Sequence, residues 1–245
     1  MIETAPVFYE RPAGDGPKLE VEPALASWDK AGSPGQSRSA AFIDRVFECA
    51  ADQIARTPDP LALRLDIGLP GRVTLLAFHD LDNYLFPLVP RLAERTGRQF
   101  ASVWATKRHA ADSFVSVSRA VAADDHSATY RFEVTTSASA STTAYKEQIR
   151  DQIAVARPLP GGAVALQLAF AAGPSRAWAN LWKATIDSLG SIVGHDKGAR
   201  EWHPQDGRIT DLGLHCVVEP AAGNDVTISI RASPAQPERA GGRQR

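Results

Sequence analysis

Asp52-Gln-Ile-Ala55 and Asp151-Gln-Ile-Ala154 are the same tetrapeptide, and each closes an amphipathic helical pattern, Ala40 to Ala55 and Thr143 to Ala154. Upstream of each lies an alternating strand, Lys18 to Glu22 and Thr129 to Val134, then a stretch rich in Ser, Ala and Gly. Downstream, a Pro-containing turn leads to a second strand, Leu61 to Ile67 and Ala163 to Phe170, with apolar residues in step. Another helix follows, Asn83 to Arg95 and Asn180 to Val193; Pro87 and Pro90 are expected to shorten or kink the first copy. Two strands close each half, Phe100 to Lys107 plus Ser113 to Ala120, and Ile209 to Val218 plus Asp225 to Ala232. Matched words at matched places in the same element order predict an α+β fold of two β-α-β-α-β-β repeats, residues 18–122 and 128–232, forming an intramolecular pseudo-dimer. The competing reading is two unrelated α+β domains. Asp124, Asp125 and His126 mark the seam. Residues 1–17 and 233–245 are rich in Pro, Gly and charge and are expected to be mobile ends, the second one basic through Arg239, Arg243 and Arg245.

The chain has 245 residues, 44% of them hydrophobic, enough to build a real core. With 27 basic against 28 acidic residues, no global positive field attracts a polyanion, so nucleic-acid binding would require a local patch. Cys49 and Cys216 fall at non-matching places, which argues against a disulfide framework or a zinc cage. The apolar run Gly162 to Ala172 is broken by Gln167 and is too short for a bilayer, and no charged-then-apolar leader opens the chain, so a cytoplasmic protein without membrane partners is expected. No Walker loop, dinucleotide fingerprint, nucleophile elbow or His-Glu-x-x-His motif occurs.

Two segments carry candidate chemistry: His79-Asp80-Leu-Asp82-Asn83, and Asn180-Leu-Trp-Lys183-Ala-Thr-Ile-Asp187-Ser-Leu189 followed by Trp202-His-Pro-Gln-Asp206-Gly-Arg-Ile209. By residue type alone, Asp80, Asp82 and Asn83 suit a helix N-terminus as well as a metal site, Asp206-Gly207 suits a turn, and Asp187 suits an ion pair with Lys183. Together the segments resemble the RusA family of Holliday-junction resolvases, whose signature reads Asp-x-Asp-Asn-x-x-Lys-x-x-x-Asp-x-Leu, a short gap, then Asp-Asp-x-Gln-Val. The resemblance implies a homodimer-like architecture acting on branched DNA. It also implies a Mg2+ ion held by Asp80, Asp82 and Asp206, with Lys183 completing the catalytic set and Asn83 and Asn180 as structural motif residues. Hard carboxylate oxygens suit Mg2+, which activates water and offsets charge building on phosphate.

Each half departs from that pattern. The first has Phe86 at the lysine position and no acid within Thr96-Gly-Arg-Gln99; the second reads Ala177-Trp-Ala179 where Asp-x-Asp would stand. A working site therefore requires Asp80 and Asp82 to meet Lys183 and Asp206 across the halves. The expected function is branched-DNA recognition with divergent or lost Mg2+-dependent endonuclease activity. The alternatives are an active structure-specific endonuclease with one composite site, and a protein-interaction scaffold that keeps only the fold. Arg91, Arg95, Arg98, Lys107 and Arg108, with Lys183, are the expected phosphate-facing residues. In the loop Gly194 to Gly207, His195, Asp196 and His203 suit either a transition metal or a solvated loop, and Lys197, Arg200 and Arg208 surround Trp202 as a secondary basic-aromatic cluster.

Overall fold

The computed structural model describes residues 5–14, 16–26, 30, 32–123 and 127–236; the seam residues Asp124, Asp125 and His126, and Arg239, Arg243 and Arg245, lie outside them. In chain order the described elements are β1 (Lys18–Leu19), α1 (Pro34–Arg56), β2 (Leu61–Leu69), α2 (Leu81–Thr96), β3 (Phe100–His109), β4 (Ser113–Arg119), β5 (Tyr130–Thr136), α3 (Thr143–Gln152), β6 (Val164–Ala172), α4 (Trp178–Asp187), α5 (Gly190–Val193), β7 (Ile209–Val218) and β8 (Val226–Pro234). The fold is mixed α+β, with one eight-stranded mixed sheet in the order β1-β4-β2-β3-β7-β6-β8-β5.

That order reads alike from either edge. β2 is parallel to β3 and antiparallel to β4, which pairs with β1; β6 is parallel to β7 and antiparallel to β8, which pairs with β5. Both parallel pairs shift register after their first residue, between Leu61 and Ala62 and between Val164 and Ala165. The halves join where β3 meets β7 antiparallel, with Trp104 opposite Gly213 at the middle of the pairing. A Cβ on Gly213 would stand 3.1 Å from the Trp104 ring, so the large side chain on one strand needs the missing one on the other.

Alternate strand residues, such as Leu61, Leu63, Leu65 and Ile67 on β2 and Leu166, Leu168 and Phe170 on β6, join the helices in one continuous apolar core. The intervening residues form a polar face. Residues 5–14, part of the segment expected from composition to be a mobile end, lie against that face. Phe8 is buried under the Arg231 guanidinium at 3.7 Å, and Arg11 pairs with Asp66 at 3.0 Å and Asp211 at 3.3 Å.

Three helical segments depart from the sequence expectation, each for an identifiable reason. α1 begins six residues early, because Ser33 caps it with its hydroxyl accepting from the Gln36 amide and Pro34 sits at the first helical position. α2 runs through Pro87 and Pro90; the Asn83 carbonyl that Pro87 cannot bond accepts from the Ala26 amide at 3.0 Å. The single helix expected from Asn180 to Val193 is split into α4 and α5. No helix among the described residues is long and apolar enough to cross a membrane.

Candidate functional site

The site forms where the loop from β2 to α2 meets α4 and the loop entering β7. Asp80 occupies the N-cap position of α2, yet its side chain makes no cap bond to the helix amides; its Oδ2 accepts from Asn83 Nδ2 at 3.1 Å. Asn83 thus steadies Asp80, and the carboxylate remains available. Asp82, in the first turn, is only 3% exposed, and its Oδ2 has no hydrogen-bond partner.

Lys183 from α4 reaches into this acidic corner. Its Nζ lies 3.0 Å from Asp206 Oδ2, 3.5 Å from Asp82 Oδ2 and 3.4 Å from Asp187 Oδ1. Asp82 and Asp206, remote in sequence and from different halves, therefore share one ammonium ion. Asp187 belongs to the same cluster and also binds Lys146 at 2.6 Å, a tie that the helical spacing from Lys183 could not reveal. Asn180 is exposed on α4 and lines the cleft beside Lys183.

Lys107 joins the two contributing loops from beneath. Only 3% exposed, it donates from Nζ to the carbonyls of Phe78 (3.3 Å), His79 (3.0 Å) and Gly207 (2.7 Å). Two of those carbonyls precede Asp80 and the third follows Asp206, so a single buried ammonium fixes both acids relative to each other. The loop also packs tightly on Gly207, where a Cβ would meet the Leu76 carbonyl oxygen at 3.0 Å. Phe78 and His79 adopt left-handed backbone, φ 62° and 52°, a conformation unfavourable for residues with a Cβ and sustained here by these contacts. His79 Nδ1 is 2.7 Å from the Tyr84 hydroxyl.

The electrostatics follow from burial and crowding. Burial pushes the Asp82 carboxyl up to about 6; Lys183 opposes the shift, and Asp206, Asp80 and Asp187 add to it. Asp80 is raised by burial and then by Asp206. Burial lowers Lys107 to about 8 against the pull of Asp80, Asp206 and Asp82. Burial also opposes the charge on Lys183, but Asp82, Asp206 and Asp187 outweigh it and hold the ammonium well above the ordinary lysine range. Burial, then Lys107, depress His79.

The carboxylates of Asp80, Asp82 and Asp206 have the oxygen chemistry that Mg2+ prefers. Their arrangement does not fit the ion, because the Lys183 ammonium sits between Asp82 and Asp206 where a cation would be shared. Among the described residues no group of three or more His, Cys, Asp or Glu is disposed to hold a metal ion. The His195 and His203 loop is tied internally instead. His195 Nδ1 is 3.3 Å from the His203 carbonyl oxygen, and Gln205 donates to Asp196 at 2.6 Å.

The expected phosphate-facing cluster is dispersed. Arg95 pairs with Asp44 at 2.5 Å and covers the Phe47 ring, and Arg98 donates to the carbonyls of Ile54 and Thr57 and to Asp59, so both fasten α2 to α1. Arg91 pairs with Glu94 on the exposed side of α2. Lys107 and Arg108 stand at the far end of β3, more than about 20 Å along the strand from Phe100, and point to opposite faces of the sheet. Sequence proximity placed these five together; strand direction separates them. Arg208 is buried and donates to the carbonyls of Leu159, Pro160, Gly162 and Val193, and Trp202 lies under Lys146 and Arg150.

A cleft between α2, α3 and α4 adds to Lys183 basic and hydroxyl groups that the sequence reading did not select. Its volume is about 500 Å3, and Lys146, Arg176, Ser139, Ser141 and Ser175 line it with Lys183 and with Asp187, which pairs with both lysines. The signal was weak because these residues come from three separate loops and helices. No family model and no curated protein matches the chain.

Proposed function

We propose that the chain is a fused pseudo-dimer of RusA-like ancestry that recognises branched DNA, its nuclease chemistry diverged or lost. The observation that carries this reading is the convergence of Asp80 and Asp82 with Lys183 and Asp206 at one corner. The resemblance requires those residue types together, and neither half contains them all. The identical strand order read from either sheet edge supports the fused-dimer part. The cleft beside the corner presents Arg176 and several hydroxyls next to the Lys146–Asp187 pair, a local basic feature at a net charge of -1 that leaves no general affinity for polyanions.

With the Lys183 ammonium held between Asp82 and Asp206, hydrolysis at the corner is disfavoured, and phosphate contact falls to Arg176 of the adjoining cleft, whose guanidinium is bound by the carbonyls of Ser137 and Asn224 and keeps its positive charge. Titration of four-way, flapped and linear DNA by gel shift tests this. Branched DNA is expected to bind preferentially, with affinity falling as salt rises, and to remain intact in Mg2+. Cleavage in Mg2+ that disappears in Asp80→Asn and Asp82→Asn would instead establish an active endonuclease with one composite site. No binding to any DNA at low salt would remove the nucleic-acid reading and leave a scaffold role.

A further inference from the structure

Phe78 is 81% exposed, the one aromatic among the exposed large hydrophobics of the described residues, although its loop is held by several contacts. Its own carbonyl and that of His79 are bound by the buried Lys107 ammonium. The preceding Leu76 and Ala77 backbone rests on Gly207 of the other half, and His109 Nε2 reaches the Val73 carbonyl at 2.8 Å. The backbone at Phe78 is left-handed, φ 62°, where a bulky aromatic is poorly tolerated. An exposed ring on a slack loop would need no explanation. A ring held outward by a strained and clamped backbone, two residues before Asp80, does.

We infer that Phe78 is a fixed stacking platform for an unpaired nucleobase, beside the corner where Asp80, Asp82, Lys183 and Asp206 meet. The inference rests on the nucleic-acid reading above and extends it to a specific contact. A protein partner would need a broader apolar patch, and only Leu76 among the other exposed large hydrophobics shares this loop. A single flat, exposed ring matches the face of one base. Bases at a branch point are unstacked more cheaply than those within a duplex, which agrees with a branched target. Lys107 is the positioning residue: by fixing the carbonyls of Phe78, His79 and Gly207 it sets the ring and the acids in one frame.

The test uses forked DNA with 2-aminopurine unpaired at the branch, with affinity and base fluorescence measured over a salt series. Wild type is expected to bind and change the fluorescence. Phe78→Ala is expected to lose about tenfold in affinity and the fluorescence change with it, while its salt dependence stays the same because no phosphate contact is lost. Phe78→Trp should retain both signals, and Phe78→Leu should behave like Phe78→Ala. Phe78→Gly serves as the folding control and is expected to melt above wild type, since glycine relieves the left-handed backbone. Equal affinity and unchanged fluorescence in Phe78→Ala, or full retention in Phe78→Leu, overturns stacking while leaving DNA recognition intact. Absence of wild-type binding to any DNA overturns both.

Discussion

Where β2 runs into α2, Asp80 and Asp82 flank the helix start; where β6 runs into α4, Ala177 and Ala179 stand at the same distances from the matching asparagines, Asn83 and Asn180. The partner positions are exchanged as well, with Lys183 on α4 where α2 has Phe86. The first corner also receives Asp206 from the long loop between α5 and β7, whereas only Gly97, Arg98 and Gln99 separate α2 from β3. The same strand-to-helix connection therefore supports a charged corner assembled from both halves in one place and carries no acids at these positions in the other. Acids and lysine are thus divided between the halves, and the charged corner needs both.

The largest expected effect that would break this contrast is at Lys107. Lys107→Met leaves the buried Gly207 carbonyl and the part-buried Phe78 and His79 carbonyls without this donor and releases the loop carrying Asp80, so urea unfolding at neutral pH should register a loss of about 3 kcal/mol. A loss below about 1 kcal/mol would mean that the loops hold themselves and Lys107 is no clip.

Asp82→Asn should act in the opposite direction. The folded-state pKa of about 6 lies above the ordinary carboxylate value, so the folded protein binds more protons than the unfolded chain between pH ~4 and ~6. Stability contributed by this residue therefore falls as pH rises through that window, by up to about 3 kcal/mol, and Asp82→Asn removes the decline. The variant is expected to be more stable than wild type by about 1–3 kcal/mol at pH 7.5 and no more stable at pH 4. Chemical denaturation at both pH values decides it; an Asp82→Asn protein less stable at pH 7.5 would show that Lys183 overcompensates the burial of the charge.

The smallest effect concerns the second strand-to-helix connection. Ala179→Asp introduces a partly buried acid where, if the halves match, Phe86 stands in place of a lysine, and should cost about 1 kcal/mol. Adding Phe86→Lys should recover most of that in a double-mutant cycle. Independent, additive effects would mean that the two corners do not share a geometry.

The strand and helix order was legible because periodicity is local. Alternation marked β2 and β6, and the helical spacing around Asp52-Gln-Ile-Ala55 and Asp151-Gln-Ile-Ala154 marked α1 and α3. Asp80, Asp82, Lys183 and Asp206 were selected from their motif spacing, but their convergence was only a requirement, since spacing within each half carries no distance between halves. The basic cluster misled for the same reason. Arg98 and Lys107 are close in sequence, yet an extended strand carries them apart and turns one of them into the interior. The continuity of α2 through Pro87 escaped notice because its remedy, the Ala26 amide, comes from a remote segment.

By itself, the sequence determined the element types, their similar order in the two halves and the placing of Asp80 and Asp82 in one half and Lys183 and Asp206 in the other, all of which follow from side-chain chemistry and spacing along one chain. Only the tertiary structure decided that β3 and β7 join the halves into one sheet, that Lys183 serves Asp82 and Asp206 together, and that Lys107 is a buried clip. Those outcomes depend on strand register and on which loops meet across it, and a one-residue change of register would turn every side chain to the other face while leaving the sequence pattern the same.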